Sequence, residues 1–145
     1  MIVGDTGAMY AIYDADDAHH ATVRDAITGL REAVHIPMAC LGELDYMLRK
    51  RLGLAAELDF LGEIRTGRFV LEPLTLADAA RCGELVEQYA SLDLGLADAS
   101  VVATAERLRT SRVLTVDYRD FQTLRMRGGK PFTIIPERAP RKRRR

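Results

Sequence analysis

The sequence predicts an α/β domain: a doubly wound, mostly parallel five-stranded sheet with helices on both faces. Five short apolar runs read as strands: Ile2–Asp5, Val34–Ile36, Phe69–Leu71, Val113–Val116 and Phe132–Ile135. They are near-continuously hydrophobic, which suits strands buried on both faces. Between them lie segments whose apolar residues recur at helical spacing, and strands alternating with helices argue for a parallel sheet. Right-handed crossovers restrict such an order to a few doubly wound topologies. Neither an internal repeat nor an interdomain linker interrupts the pattern. Residues 1–136 therefore read as one domain and 137–145 as a basic tail expected to be disordered.

The elements follow in order. The first strand ends in Asp5, and Met9 to Tyr13 continue helically or as a short turn. Asp16 and Asp17 offer an N-cap for a helix from about Ala18 to Leu30, with Ala21, Ala26, Ile27 and Leu30 inward and Gly29 helping to end it. After the second strand, Pro37 suits a strand end or a first helical turn. The next helix, about Met38 to Arg51, carries Leu41, Leu44, Leu48 and Leu52 on one face and stops at Gly53. Another, about Leu54 to Thr66, has Leu58, Leu61 and Ile64 at helical spacing. Beyond the third strand, Thr75-Leu-Ala-Asp78 has the form of a capping box with Asp in place of Glu. It opens a helix to about Tyr89, with Ala79, Cys82, Val86 and Tyr89 inward. A loop over Leu92 to Leu96 precedes a helix from about Ala97 to Arg109, whose small and branched residues suit close packing on the sheet. The fourth strand ends at Asp117. Tyr118 to Met126 are helical or looped, Gly128-Gly129 form a turn, and Pro136 closes the last strand.

With 48% hydrophobic and 29% charged residues, the chain has the composition of a folded globular domain. No apolar stretch approaches the ~20 residues of a membrane helix, and the acidic start does not resemble a signal peptide. A cytoplasmic protein is expected. Formal net charge is zero, but six of the 21 basic residues and no acid lie in 138–145, so 1–137 carries 15 basic against 21 acidic residues, a net of −6. The tail (Arg138, Arg141, Lys142, Arg143, Arg144, Arg145) either holds a polyanion by counterion release or merely solubilises the chain. Cys40 and Cys82 form no CxxC pair and read as reduced core residues. His19, His20 and His35 share no zinc spacing with them. His19 and His20, in a first helical turn, are either surface residues or ligands.

Four acids stand out once placed on this frame. Asp5 ends the first strand, Glu43 lies early in the helix after the second, Asp98 lies in the first turn of the helix leading to the fourth, and Asp117 ends that strand. Strand C-termini and helix N-termini meet at one edge of a doubly wound sheet, where ligands bind. Each acid has an ordinary explanation alone. Asp98 gains from the helix dipole, Glu43 suits a solvated helix face, Asp117 a turn or cap, and Asp93 a loop. Together they repel unless a cation is present. A hard divalent ion, magnesium or manganese, is the usual resolution, and it can activate water and steady a phosphate oxyanion. The phosphate loops of nucleotide sites and the GxSxG of serine hydrolases are absent.

The matching pieces are Ile-Val-Gly-Asp5-Thr-Gly-Ala, Leu41-Gly-Glu43-Leu, Leu94-Gly-Leu-Ala-Asp98-Ala and Leu114-Thr-Val-Asp117-Tyr-Arg-Asp-Phe121. On these the chain resembles the PIN-domain family, and within it the VapC-like toxins of bacterial toxin–antitoxin pairs, over about residues 1–136. The resemblance implies a metal-dependent endoribonuclease. Carried over, Asp5 and Asp98 would be principal magnesium ligands. Glu43 would complete the site directly or through water and help activate the attacking water, and Asp117 would act through water or from behind the ligands. Thr6 and Thr115 stand where hydroxyls support the carboxylates. The family also implies a homodimer restrained by a VapB-like antitoxin whose basic side chain enters the acidic groove. An acidic site must still attract RNA, so Arg112, Arg119, Arg125, Arg127 and Lys130 become candidate RNA contacts, each also readable as solvated surface. Gly4 and Gly7 depart from the family, which more often has a branched residue and a serine there. A housekeeping PIN nuclease and a non-catalytic binding module are the alternatives. A phospho-acceptor receiver fits poorly, lacking paired acids after the first strand and a lysine after the last.

Overall fold

A computed structural model of the chain describes residues 1–138. Five strands form one sheet: β1 (Ile2–Gly4), β2 (Val34–Pro37), β3 (Phe69–Glu72), β4 (Arg112–Leu114) and β5 (Thr133–Ile135). Their order is β3-β2-β1-β4-β5 and every neighbouring pair is parallel. The chain winds outward from β1 in both directions, which makes the crevice beyond the C-terminal ends of β1 and β4 the topological switch point. The seven α-helices are α1 (Thr6–Ala11), α2 (His20–Thr28), α3 (Met38–Met47), α4 (Leu54–Arg65), α5 (Leu76–Gln88), α6 (Leu96–Arg107) and α7 (Tyr118–Thr123). A π-helical turn, Leu48–Leu52, extends α3 to Gly53, whose φ of 101° needs a glycine. Among the described residues no helix is long and apolar enough to cross a membrane. Apart from Arg138, the basic tail residues lie outside the described residues.

α6 is the central packing helix. Ala99 to Ala105 are buried without interruption, because small side chains let the helix settle closely on the sheet. α5 lies against it, joined by the predicted capping box: Thr75 Oγ1 accepts from Asp78 N at 3.0 Å, and Thr75 N donates to Asp78 Oδ2 at 3.2 Å. Arg107 then donates to Asp78 (3.0 Å) and to Glu72 (3.2 Å), tying α6 to both the cap and β3.

Several inward faces differ from expectation. In α2 the buried residues are Val23 and Ile27, and Ala21 is exposed. Its N-cap is His19 without a side-chain cap, while Asp17 Oδ1 accepts from His19 N at 2.8 Å in the preceding turn. In α5, Cys82 and Leu85 point inward, and Ala79 and Val86 do not. In α4 the core residue is Phe60, stacked against Tyr13 and Phe69, whereas Leu58 and Leu61 face solvent. One large aromatic side chain fills the space under α4, so the leucines two positions before and one after it are turned out. β4 ends at Leu114, three residues short of Asp117.

Candidate metal centre

Asp5 lies just past β1. Its backbone N–H still donates to Leu114 O (3.0 Å), so the ladder with β4 holds the residue in place. Its side chain caps α1, with Oδ1 accepting from Ala8 N at 2.9 Å, and Oδ2 accepts from the Thr115 hydroxyl. Thr115 Oγ1 also accepts from Asp117 N at 3.0 Å, so one buried hydroxyl joins two of the four acids. Burial pushes the Asp5 carboxyl up to about 7. The hydrogen bonds from Thr115 and Ala8 oppose this, and the charges of Asp98 and Asp117 add to it.

Asp98 occupies the first turn of α6 and is half-buried. Desolvation, and then the charges of Asp117, Asp120 and Glu43, raise it to about 6. Asp117 caps α7: its Oδ1 accepts from Asp120 N at 3.1 Å. Asp120 follows in the first turn, its carboxyl raised by burial and by Asp117. Asp98, Asp117 and Asp120 each present an atom within 4.8 Å of the others. Glu43 is exposed on α3, with its charge within reach of Asp98. The structure thus brings the four predicted acids to one edge and adds a fifth, Asp120. The sequence signal for Asp120 is its place three residues after an N-cap acid, which puts both carboxylates on one side of a first turn.

The donor set is carboxylate oxygen throughout, and the raised carboxyls measure the repulsion that a cation would relieve. This is the chemistry of magnesium or manganese. The nearby Cys40 is no soft ligand: burial pushes its thiol up to about 11, and Sγ points at Ala97 O (3.6 Å). Thr6 departs from expectation. Its Oγ1 is buried without a hydrogen-bond partner and neighbours the Cys40 thiol, so only Thr115 supports the carboxylates directly.

The basic candidates scatter. Arg112 starts β4 at the opposite edge of the sheet and pairs with Glu32, so it does not flank the acids. Arg125 donates to Gln122 O (2.6 Å) and Leu124 O (2.9 Å) behind α7. Arg127 pairs with Glu84 at 3.2 Å, and Lys130 is exposed beyond it. Only Arg119 adjoins the acidic edge. It shares an open cleft of about 490 Å³ with Asp117, His19, Thr22 and Arg138. Arg138, counted in the sequence as tail, lies over the Tyr118 ring at 5.7 Å.

The family model described as PIN domain matches residues 2–125. The chain belongs to the PIN-domain family. It is similar to Ribonuclease VapC26 of Mycobacterium tuberculosis, with 37% identity over 132 residues, 91% of this chain and 98% of that one. That likeness makes this a VapC-like PIN domain. Among solved structures it is similar to M. tuberculosis VapC20, described as a sarcin–ricin loop cleaving toxin. There the TM-score is 0.70 at 22% identity, over 78% of this chain and 87% of that one. It is also similar to a toxin–antitoxin complex from Klebsiella pneumoniae, with a TM-score of 0.66 at 20% identity, over 83% and 90% of the two chains. These two likenesses are of fold.

Proposed function

We propose that this PIN-domain protein is the toxin of a toxin–antitoxin pair and a metal-dependent endoribonuclease that hydrolyses RNA phosphodiester bonds in the cytoplasm. The observation that carries this reading is the gathering of Asp98, Asp117 and Asp120 within 4.8 Å beside Asp5, at the switch point of the sheet. Likeness to a VapC ribonuclease supplies the substrate class.

Asp5 and Asp98 are the principal ligands for magnesium, with manganese as a substitute. Asp117 offers Oδ2, since Oδ1 is engaged in capping α7. Asp120 offers a further oxygen. The ion, when bound, lowers the pKa of a water and neutralises charge on the phosphate. Thr115 keeps Asp5 fixed and aligned with Asp117, so their oxygens need no reorganisation as the phosphate gains charge. Glu43, exposed at the rim, is free to accept a proton from the attacking water. Arg119 and Arg138 hold the RNA backbone in the adjoining cleft, and His19 lines its far wall. The protein acts as a homodimer, and a VapB-like antitoxin restrains it by placing a basic side chain among the carboxylates.

Purified Asp98→Asn should lose at least roughly 100-fold in RNA cleavage with magnesium and cease to inhibit growth. Full cleavage by Asp98→Asn, or by the parent protein in EDTA, would overturn the assignment. Asp120→Asn should weaken magnesium binding, read by calorimetry, by about threefold to tenfold. Co-expression with the small neighbouring gene should be needed for growth; tolerance without it would point to a housekeeping nuclease.

A further inference from the structure

A second polar cavity lies away from the acids, at the opposite edge of the sheet. It is enclosed by the residues after α1, the C-terminal halves of α2 and α4, and the start of β3, and holds about 260 Å³. Ile12, Ile27 and Phe69 give it apolar walls, and Arg24, Arg68, Glu63 and Tyr13 give it polar ones. A wider opening of about 460 Å³, sharing Tyr13, Arg24 and Glu63, connects it to solvent.

Three features make this cavity more than a packing gap. The Tyr13 hydroxyl is shielded from solvent and has no hydrogen-bond partner, which is costly for a buried donor. Burial and the charges of Glu63 and Asp59 hold that phenol above its ordinary range, so it carries its proton and can donate. Arg68 and Arg24 act on it in the opposite sense, which puts both guanidinium charges within reach of the hydroxyl. Arg68 is committed to Glu63 at 3.6 Å. Arg24, among the described residues, is in no ion pair. The inner lining therefore carries one positive charge in excess, in a body whose residues 1–137 have a net of −6. An uncommitted guanidinium beside a protonated phenol and apolar walls is a donor set for a compact anion with planar or tetrahedral oxygens.

We infer that this cavity is a second ligand site, in which Arg24 and the Tyr13 hydroxyl bind a small oxyanion, phosphate or a short carboxylate. The inference goes beyond the nuclease reading and does not rest on it. The acidic edge lies at the other end of α1, whose N-terminus Asp5 caps. An occupant here would brace α1, α2 and α4 against β3 without touching the carboxylates.

The test is an NMR titration of the full chain in EDTA, with Tyr ring and Arg side-chain signals followed as inorganic phosphate or succinate is added at constant ionic strength. Saturable shifts at Tyr13 and Arg24 are expected with one or both anions, and the responding anion identifies the class. Arg24→Gln, at an exposed position, should weaken binding by about tenfold or more, as for loss of a charge-assisted hydrogen bond. Tyr13→Phe should weaken it several-fold, and Asp98→Asn should leave it unchanged. No saturable shift at Tyr13 with either anion overturns the inference, as would Arg24→Gln binding with parental affinity or Asp98→Asn losing the site.

Discussion

Asp5 combines three roles in one side chain: it caps α1, it accepts from Thr115, and it faces Asp98 and Asp117. Thr115→Val removes the hydroxyl from both Asp5 and Asp117 while keeping the volume, and should cost about 1–2 kcal/mol in denaturant unfolding. The neighbouring glycines differ in kind. A Cβ on Gly4 would sit 2.8 Å from Met9 Sδ and 2.9 Å from Val34 Cγ1, so the close approach of β1 to β2 and α1 requires glycine. At Gly7 the nearest atom would be Val116 Cγ2 at 3.7 Å, an ordinary contact. Gly4→Ala should therefore destabilise by roughly 1–3 kcal/mol, and Gly7→Ser should change stability by no more than about 0.5 kcal/mol. Thermal melts of the two variants distinguish them. The departure from the family at Gly4 thus has a packing cause, and the one at Gly7 has none in the structure.

At the scale of elements, local chemistry was legible where it is self-contained. The Thr75–Asp78 capping box forms as read, because both partners lie within one turn. Arg107, which grips that cap and β3 from α6, is a contact across elements that no spacing reveals. Arg107→Met should cost about 1–2 kcal/mol, less than for a fully buried pair because Arg107 is partly exposed, and calorimetric unfolding measures it. Inward faces were legible only in part. The helical period specifies a stripe, but in α2 and α5 the stripe that meets the sheet is rotated toward Val23 and Leu85. In α4 it is centred on Phe60, leaving Met38, Leu54, Leu58 and Leu61 as an apolar strip on α3 and α4.

For the whole molecule, the acidic edge sets the response to pH and metal. Asp5 and Asp98 are raised to about 7 and about 6, from 3.8. The folded protein therefore binds more protons than the unfolded chain between about pH 4 and 7. Their contribution to stability is fully present below the unfolded value and is lost as pH rises through the folded values. In EDTA, the melting temperature should fall by several degrees between pH 5 and pH 8, and Asp5→Asn should flatten that dependence. Magnesium should raise it at pH 8 and have little effect at pH 5, because protonated carboxyls bind cations weakly. A melting temperature that rises with pH in EDTA would contradict the raised carboxyls.

The sequence by itself determined the fold class, the five strands and the edge at which Asp5, Glu43, Asp98 and Asp117 meet. Strand burial, helical period and crossover handedness are properties of short segments and of their order. Only the tertiary structure decided that Asp120 joins the acids, that Arg112 lies at the far edge against Glu32, and that Thr6 turns from the carboxylates toward Cys40. It also decided that Tyr13 and Arg24 enclose a second cavity. Each of these depends on the rotation of one element about its own axis, or on its offset from a neighbour. Both are set by side chains distant in sequence, which a local pattern does not contain.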